Sequence, residues 1–286
     1  MGVRISLSPL IERIMGDVRL NISPARRHFK QRIGQVNHFL ITTLIGLDGV
    51  KSKKFTLPEE FSTSWNPRNV ERSAERSIRF ILDASLSWVV DNLDSYFVEA
   101  SRKPSIIGSK ELNEGYTKAD RSVNKRFGLF YHEARRTTNI DKYAALVALA
   151  IQWRNNTVHY GANNELDDEY RSLLVQHKDY YMGEFRHLDV EEMLKSFDSK
   201  DGHPTFKEVT SMINAIHKYV ECVDEHLLKS LDLEQFKKDL LDKHCSMSKQ
   251  TKRKINNLTK ERKEVYLKTL YRQYGLEVED AVEEKD

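Results

Sequence analysis

The sequence predicts an all-α protein, a helical bundle followed by a basic helical extension, and three observations carry that reading. A capping residue precedes a proline at Ser8-Pro9, Ser23-Pro24 and Asn66-Pro67, and an apolar run at helical spacing follows each. The alternating β-branched and aromatic runs that mark strands are almost absent. The chain of 286 residues is long enough to bury a full core without disulfides.

The three caps predict helices near 9–16, 24–47 and 67–99. In the third, Val70, Ala74, Ile78, Leu82, Ser85 and Val89 recur on one face. Residues 102–119, with Pro104, Gly108 and Gly115, read as a connecting loop. Helix resumes near Asp120, with Val123, Phe127, Phe130 and Tyr131 on its apolar side. Thr138 or Asn139 can cap the next helix, from about Ile140 to Tyr160, with Gly161 placed to stop it. A shorter helix near 167–176 and a polar connection through Tyr180, Tyr181 and Phe185 come next. His203-Pro204-Thr205 then precedes a long amphipathic helix with Phe206, Val209, Ile213, Ile216, Val220, Val223 and Leu227 inward. Leu231 to Cys245 and Ser248 to Tyr274 complete the helices. Residues 1–231 form the expected bundle domain, and 232–286 the basic extension with a short acidic tail.

Composition narrows the function. Two cysteines, Cys222 and Cys245, make neither a disulfide framework nor a CxxC pair, which suits a reducing compartment. No apolar run approaches the roughly 20 residues needed to cross a bilayer, and the first residues lack the apolar block of a secretory signal. The expected location is the cytosol, with no membrane partner. The net charge of +3 does not by itself imply a nucleic-acid partner, but its distribution is uneven. Nine basic residues fall between Lys249 and Arg272 against Glu261 and Glu264, and the acidic tail follows.

The chemistry concentrates at one place. Ala144, Ala145, Leu146, Val147, Ala148, Leu149, Ala150 and Ile151 make a helix apolar on nearly every side, which belongs inside a bundle. Arg154, Asn155, Asn156 and His159 then arrive without a break in the helical pattern. An arginine left there without water or a partner would cost about 3–5 kcal/mol. At about 100° per residue, Asn155 and His159 share a face, while Arg154 and His159 diverge by about 140°, an angle arginine's long side chain can cover. A guanidinium grips phosphate bidentately, and an imidazole moves protons near neutral pH. Together they suffice for cleaving RNA by attack of its own 2′-hydroxyl.

The run Arg154-Asn155-Asn156-Thr157-Val158-His159 resembles the R-x4-6-H motif of the HEPN superfamily, including the polar residue after the arginine and the position at the end of a bundle helix. The resemblance implies an all-helical, HEPN-like bundle and a metal-independent endoribonuclease without a cofactor, of the kind found in toxin–antitoxin and antiviral defence systems. It implies a homodimer whose paired motifs share one composite cleft, and products with a 2′,3′-cyclic phosphate and a 5′-hydroxyl. It also implies a possible antitoxin or regulatory partner. The motif carries over onto Arg154 and His159 as catalytic residues, with Asn155 orienting the phosphate or the histidine. Two departures limit the subfamily: Tyr160 is adjacent to His159, with Gly161 where some relatives place a modifiable tyrosine, and the upstream charges of a longer signature are absent near Ala145 and Leu149.

Asn156, Arg121, Lys125 and Arg126 are candidate RNA contacts, and Lys118, His132, Arg135 and Arg136 extend the same basic face; such a face is also commonly just solvated. His217, Glu221, Cys222, Glu225 and His226 share a helix at spacings a metal tolerates, but no second cluster completes a site, so no metal is expected. Segment 249–272 interleaves Tyr266, Leu267, Leu270, Tyr271 and Tyr274 with its charges. It reads either as an RNA-holding surface or as an amphipathic helix packed on the bundle. The alternative to the nuclease is a non-catalytic HEPN-like module that binds RNA, nucleotide or a protein partner.

Overall fold

A computed structural model describes residues 18–55, 60, 65, 67–120, 122–159, 162–199 and 202–278. The fold is all-α: among the described residues, twelve helices accompany a single pair of two-residue strands. The helix expected at 9–16 lies outside the described residues, as do Asn66, Arg121, Tyr160, Gly161 and the acidic tail beyond Val278.

Helix α1 spans Pro24–Lys51 and α2 spans Val70–Ser101. Ser23 caps α1 as its sequence suggests, accepting from the Arg26 N–H at 3.0 Å. The cap of α2 is Asn69, whose Oδ1 accepts from the Arg72 N–H at 2.9 Å. The two helices run antiparallel: Lys51 at the end of α1 pairs with Glu75 near the start of α2, and Arg32 pairs with Glu99 at the far end. The predicted stripe of α2 turns inward, with Ala74, Leu82, Ser85 and Val89 buried.

The expected loop at 102–119 contains α3, Lys110–Lys118, capped by Ser109. Then come α4 (Val123–Ala134), α5 (Asp141–Val158) and α6 (Asp168–Gln176). Neither Thr138 nor Asn139 caps α5; Ile140 occupies that position, with no side-chain bond. The polar connection after α6 holds two further helices, α7 (Lys178–Glu184) and α8 (Val190–Asp198). Helix α9, Phe206–Lys229, opens on a reciprocal capping box between Thr205 and Glu208.

Helix α5 is the centre of the bundle, packed by α2, α4, α6 and α9, and every residue from Ala144 to Trp153 is buried. Aromatic contacts knit the surrounding helices: Phe97 of α2 stacks on Phe130 of α4 at 4.6 Å, and the Tyr219 hydroxyl of α9 donates to the Phe127 carbonyl at 3.0 Å.

The C-terminal segment folds as α10 (Leu233–Ser246), α11 (Lys249–Asn256) and α12 (Lys260–Gln273), so the single helix expected over 248–274 is broken between Asn256 and Lys260. Leu267, Leu270 and Tyr271 are buried, and the Tyr266 hydroxyl meets His244 at 2.7 Å. These residues pack in one continuous core with the bundle, while Arg253, Lys254, Lys260 and Arg262 stay exposed. Helix α12 ends on Gly275 at φ +82°, where a side chain would strike the Arg27 guanidinium. Strand β2 (Glu277–Val278) then pairs antiparallel with β1 (Val18–Arg19), joining the end of the described chain to its beginning.

Candidate functional site

Burial changes abruptly along α5. Trp153 is 1% exposed, Arg154 to Thr157 are half-buried, and Val158 and His159 are exposed. The apolar run therefore delivers its polar end to the surface while the preceding turns hold the helix rigidly in the core.

Arg154 finds the partner that its position demands. Its Nη2 pairs with Asp91 of α2, and its Nη1 donates to Asn155 Oδ1 at 3.0 Å. The arginine side chain is 19% exposed and Asp91 is 62% exposed, so the pair sits at the rim with the carboxylate outermost. The Arg154 Nε is buried and unpartnered.

His159 terminates the helix, its backbone extended and its N–H donating to the Asn155 carbonyl at 3.2 Å. No hydrogen bond or ion pair joins its ring to a described residue. The structure thus gathers Arg154, Asn155 and Asp91 into one network and leaves the exposed His159 ring outside it.

Asn156 does different work. Its Oδ1 accepts from the Asn164 N–H at 2.6 Å and its Nδ2 donates to the Asn164 carbonyl at 3.0 Å, which clamps the chain beyond α5. It belongs to the scaffold of the site rather than to its open surface.

The basic face of α4 is largely committed to carboxylates. Arg126 is 8% exposed; it donates to both oxygens of Asp94 at 2.8 and 2.9 Å and to the Asp120 carbonyl at 2.8 Å. Lys125 stands 3.6 Å from Asp120, with both side chains exposed. Arg135 pairs with Asp141 and Glu169, and Arg136 with Glu133. His132 packs against the Tyr131 ring.

On α9, Glu221 pairs with Arg26 and Lys218, and His226 lies against Thr137 and Glu133. Among the described residues no group of three or more histidine, cysteine or acidic side chains is placed to hold a metal. Burial pushes the Cys222 thiol up, away from thiolate chemistry. A cleft of about 520 Å³ between α1 and α9, walled by Ile33, Phe206 and Arg186, has none of residues 154–159 in its lining.

Asp91 is the residue that sequence reasoning missed. Its only local signal is membership of the polar row Asp83, Ser87, Asp91 at i, i+4, i+8 on a helix whose other side is apolar. Comparison of the chain with protein-family models, with curated proteins and with solved structures finds no match in any of the three.

Proposed function

We propose that the chain is a metal-independent endoribonuclease of the HEPN type, cytosolic, acting in growth arrest or antiviral defence. The observation that carries the reading is the end of α5, where a guanidinium held at the rim by Asp91 and Asn155 is followed, at the helix C-cap, by an exposed imidazole with no partner among the described residues.

In this reading the scissile phosphate takes the place of Asp91 on Arg154, which neutralises it. His159 then acts as general base or acid while the 2′-oxygen attacks phosphorus and the 5′-oxygen leaves. Asn155 keeps the guanidinium oriented. The reaction needs two proton transfers, one from the attacking hydroxyl and one to the leaving oxygen. A homodimer that faces two such helix ends across one cleft supplies an imidazole for each.

An exposed aromatic pair supports the pairing. Phe39 and Trp88 are 49% and 50% exposed, and their rings stack at 6.0 Å. Trp88 lies less than one turn before Asp91, so this apolar patch borders the site.

The non-catalytic module remains the second reading, and the Asp91 carboxylate favours it by occupying the guanidinium. Two variants separate the readings. A nuclease loses cleavage in His159→Ala while keeping RNA affinity, and it loses both in Arg154→Ala. A binding module cuts no RNA, and only Arg154→Ala weakens its binding.

A further inference from the structure

A second basic side chain is held by a carboxylate on the same row of α2. His203, in the segment leading into α9, places Nδ1 3.1 Å from Asp83 Oδ2. The Asp83 side chain is 20% exposed, and its other carboxylate oxygen is buried without a partner. Burial pushes the Asp83 carboxyl up and His203 opposes that, so the imidazole is the group that answers this carboxylate. The backbone of His203 is fixed as well: its carbonyl accepts from Ser196 Oγ at 3.4 Å.

The location ties His203 to the Arg154 network. Trp153, next to Arg154, donates its Nε1–H to the carbonyl of Gly202, next to His203, at 3.4 Å. Asp83 and Asp91 lie eight residues apart on α2, about 12 Å along the axis. Two carboxylates of one helix thus hold a histidine and an arginine, and the rise of about 12 Å between the two carboxylate positions is one that a short single strand spans.

The ring orientation sets the chemistry. With Nδ1–H donated to Asp83, a neutral imidazole presents Nε2 as an acceptor, and at 39% exposure the ring reaches solvent. A phosphate oxygen offers an acceptor no hydrogen. A ribose 2′-hydroxyl does, and that hydroxyl is the group that separates RNA from DNA.

We propose that His203, oriented by Asp83, accepts a hydrogen bond from a 2′-hydroxyl of the strand held at Arg154 and makes the site prefer RNA over DNA. This rests on the reading that the Arg154 surface binds RNA. A structural staple between Asp83 and the segment before α9 would need the Nδ1 bond alone.

The test uses His159→Ala protein, which leaves the strand uncut, in mildly alkaline buffer of low salt. Fluorescence anisotropy measures its affinity for a single-stranded oligouridylate and for the oligodeoxyuridylate of equal length. His203→Asn is then added, because asparagine's amide nitrogen replaces Nδ1 at Asp83 and nothing replaces Nε2. One neutral hydrogen bond corresponds to a preference for RNA of roughly 3- to 10-fold. The expected result is that preference in the parent, its loss in His203→Asn, and an unchanged affinity for DNA. An RNA preference that survives His203→Asn overturns this inference alone, and a parallel fall in DNA affinity assigns His203 to the scaffold. If neither strand binds the parent, the RNA reading of the site falls with it.

Discussion

Asp91 and Arg154, 63 residues apart in sequence, form an ion pair in which the exposed carboxylate caps a mostly buried guanidinium. The pair answers the problem of an arginine at the end of a buried helix, and in the proposed reading it places a negative charge where the incoming phosphate binds. Removing that charge in Asp91→Ala is expected to tighten RNA binding. Because the change takes the carboxylate from a guanidinium only 19% exposed, it should also cost roughly 1–3 kcal/mol of stability. Arg154→Lys keeps the charge but loses the fork that bonds Asp91 and Asn155 at once, so it should bind RNA yet cleave poorly. Affinity titrations and urea melts of the two variants check both points.

Stability and activity should separate along α5. Leu149 is fully buried at the centre of the bundle, and Leu149→Ala is expected to cost about 2–5 kcal/mol. His159 is exposed at the helix end, and His159→Ala should change stability by no more than about 0.5 kcal/mol while lowering cleavage by about 10²–10⁴-fold. A large loss of stability in His159→Ala would mark the ring as a packing residue instead.

The N-terminus of α1 is anchored to α9 by a buried carboxylate. Asp224 accepts from the Ser23 N–H at 3.1 Å, from the Ser23 hydroxyl and from Tyr96 at 3.3 Å, with no exposed surface. Desolvation raises its affinity for a proton above that of the unfolded chain, whose reference value is 3.8; the Ser23 bonds and Arg26 offset only part of this. The folded state therefore holds the proton more tightly, and the stability this group contributes is full below 3.8 and declines as pH rises through the folded value. Asp224→Asn does not titrate. Its Tm relative to wild type should rise with pH above 3.8, and a flat difference would contradict the sign.

The exposed Phe39–Trp88 pair bears on assembly. In the dimer proposed here, Trp88→Glu should dissociate the protein to monomers in sedimentation and lower cleavage, while leaving the Tm of the isolated chain nearly unchanged, because the ring is half-exposed. A monomeric wild type would dismiss this face as the dimer contact.

The helical class was legible because Ser23-Pro24 and the stripe of α2 state their secondary structure locally. So was the buried character of α5, apolar all round. Helix α3 was hidden by Gly115 inside it, whereas Gly108 does lie in the loop before it, where a Cβ would come within 2.6 Å of the Ser230 carbonyl oxygen. The break between α11 and α12 follows from Thr259, whose hydroxyl caps α12 and reads as an ordinary polar residue in the sequence. At the candidate site, residue types singled out Arg154 and His159 but not their surroundings. The Asp91 pair, the Asp83–His203 contact and the burial of Arg126 against Asp94 all depend on which helices pack together, and no local pattern encodes that.

The most direct measurement is incubation of wild type and His159→Ala with end-labelled RNA in excess EDTA, reading fragments and their ends. The expected result is cleavage by wild type alone, leaving 2′,3′-cyclic phosphate and 5′-hydroxyl termini. Intact RNA with well-folded wild type, or equal cleavage by both proteins, would contradict the assignment of His159 as the proton-transfer residue of an endoribonuclease.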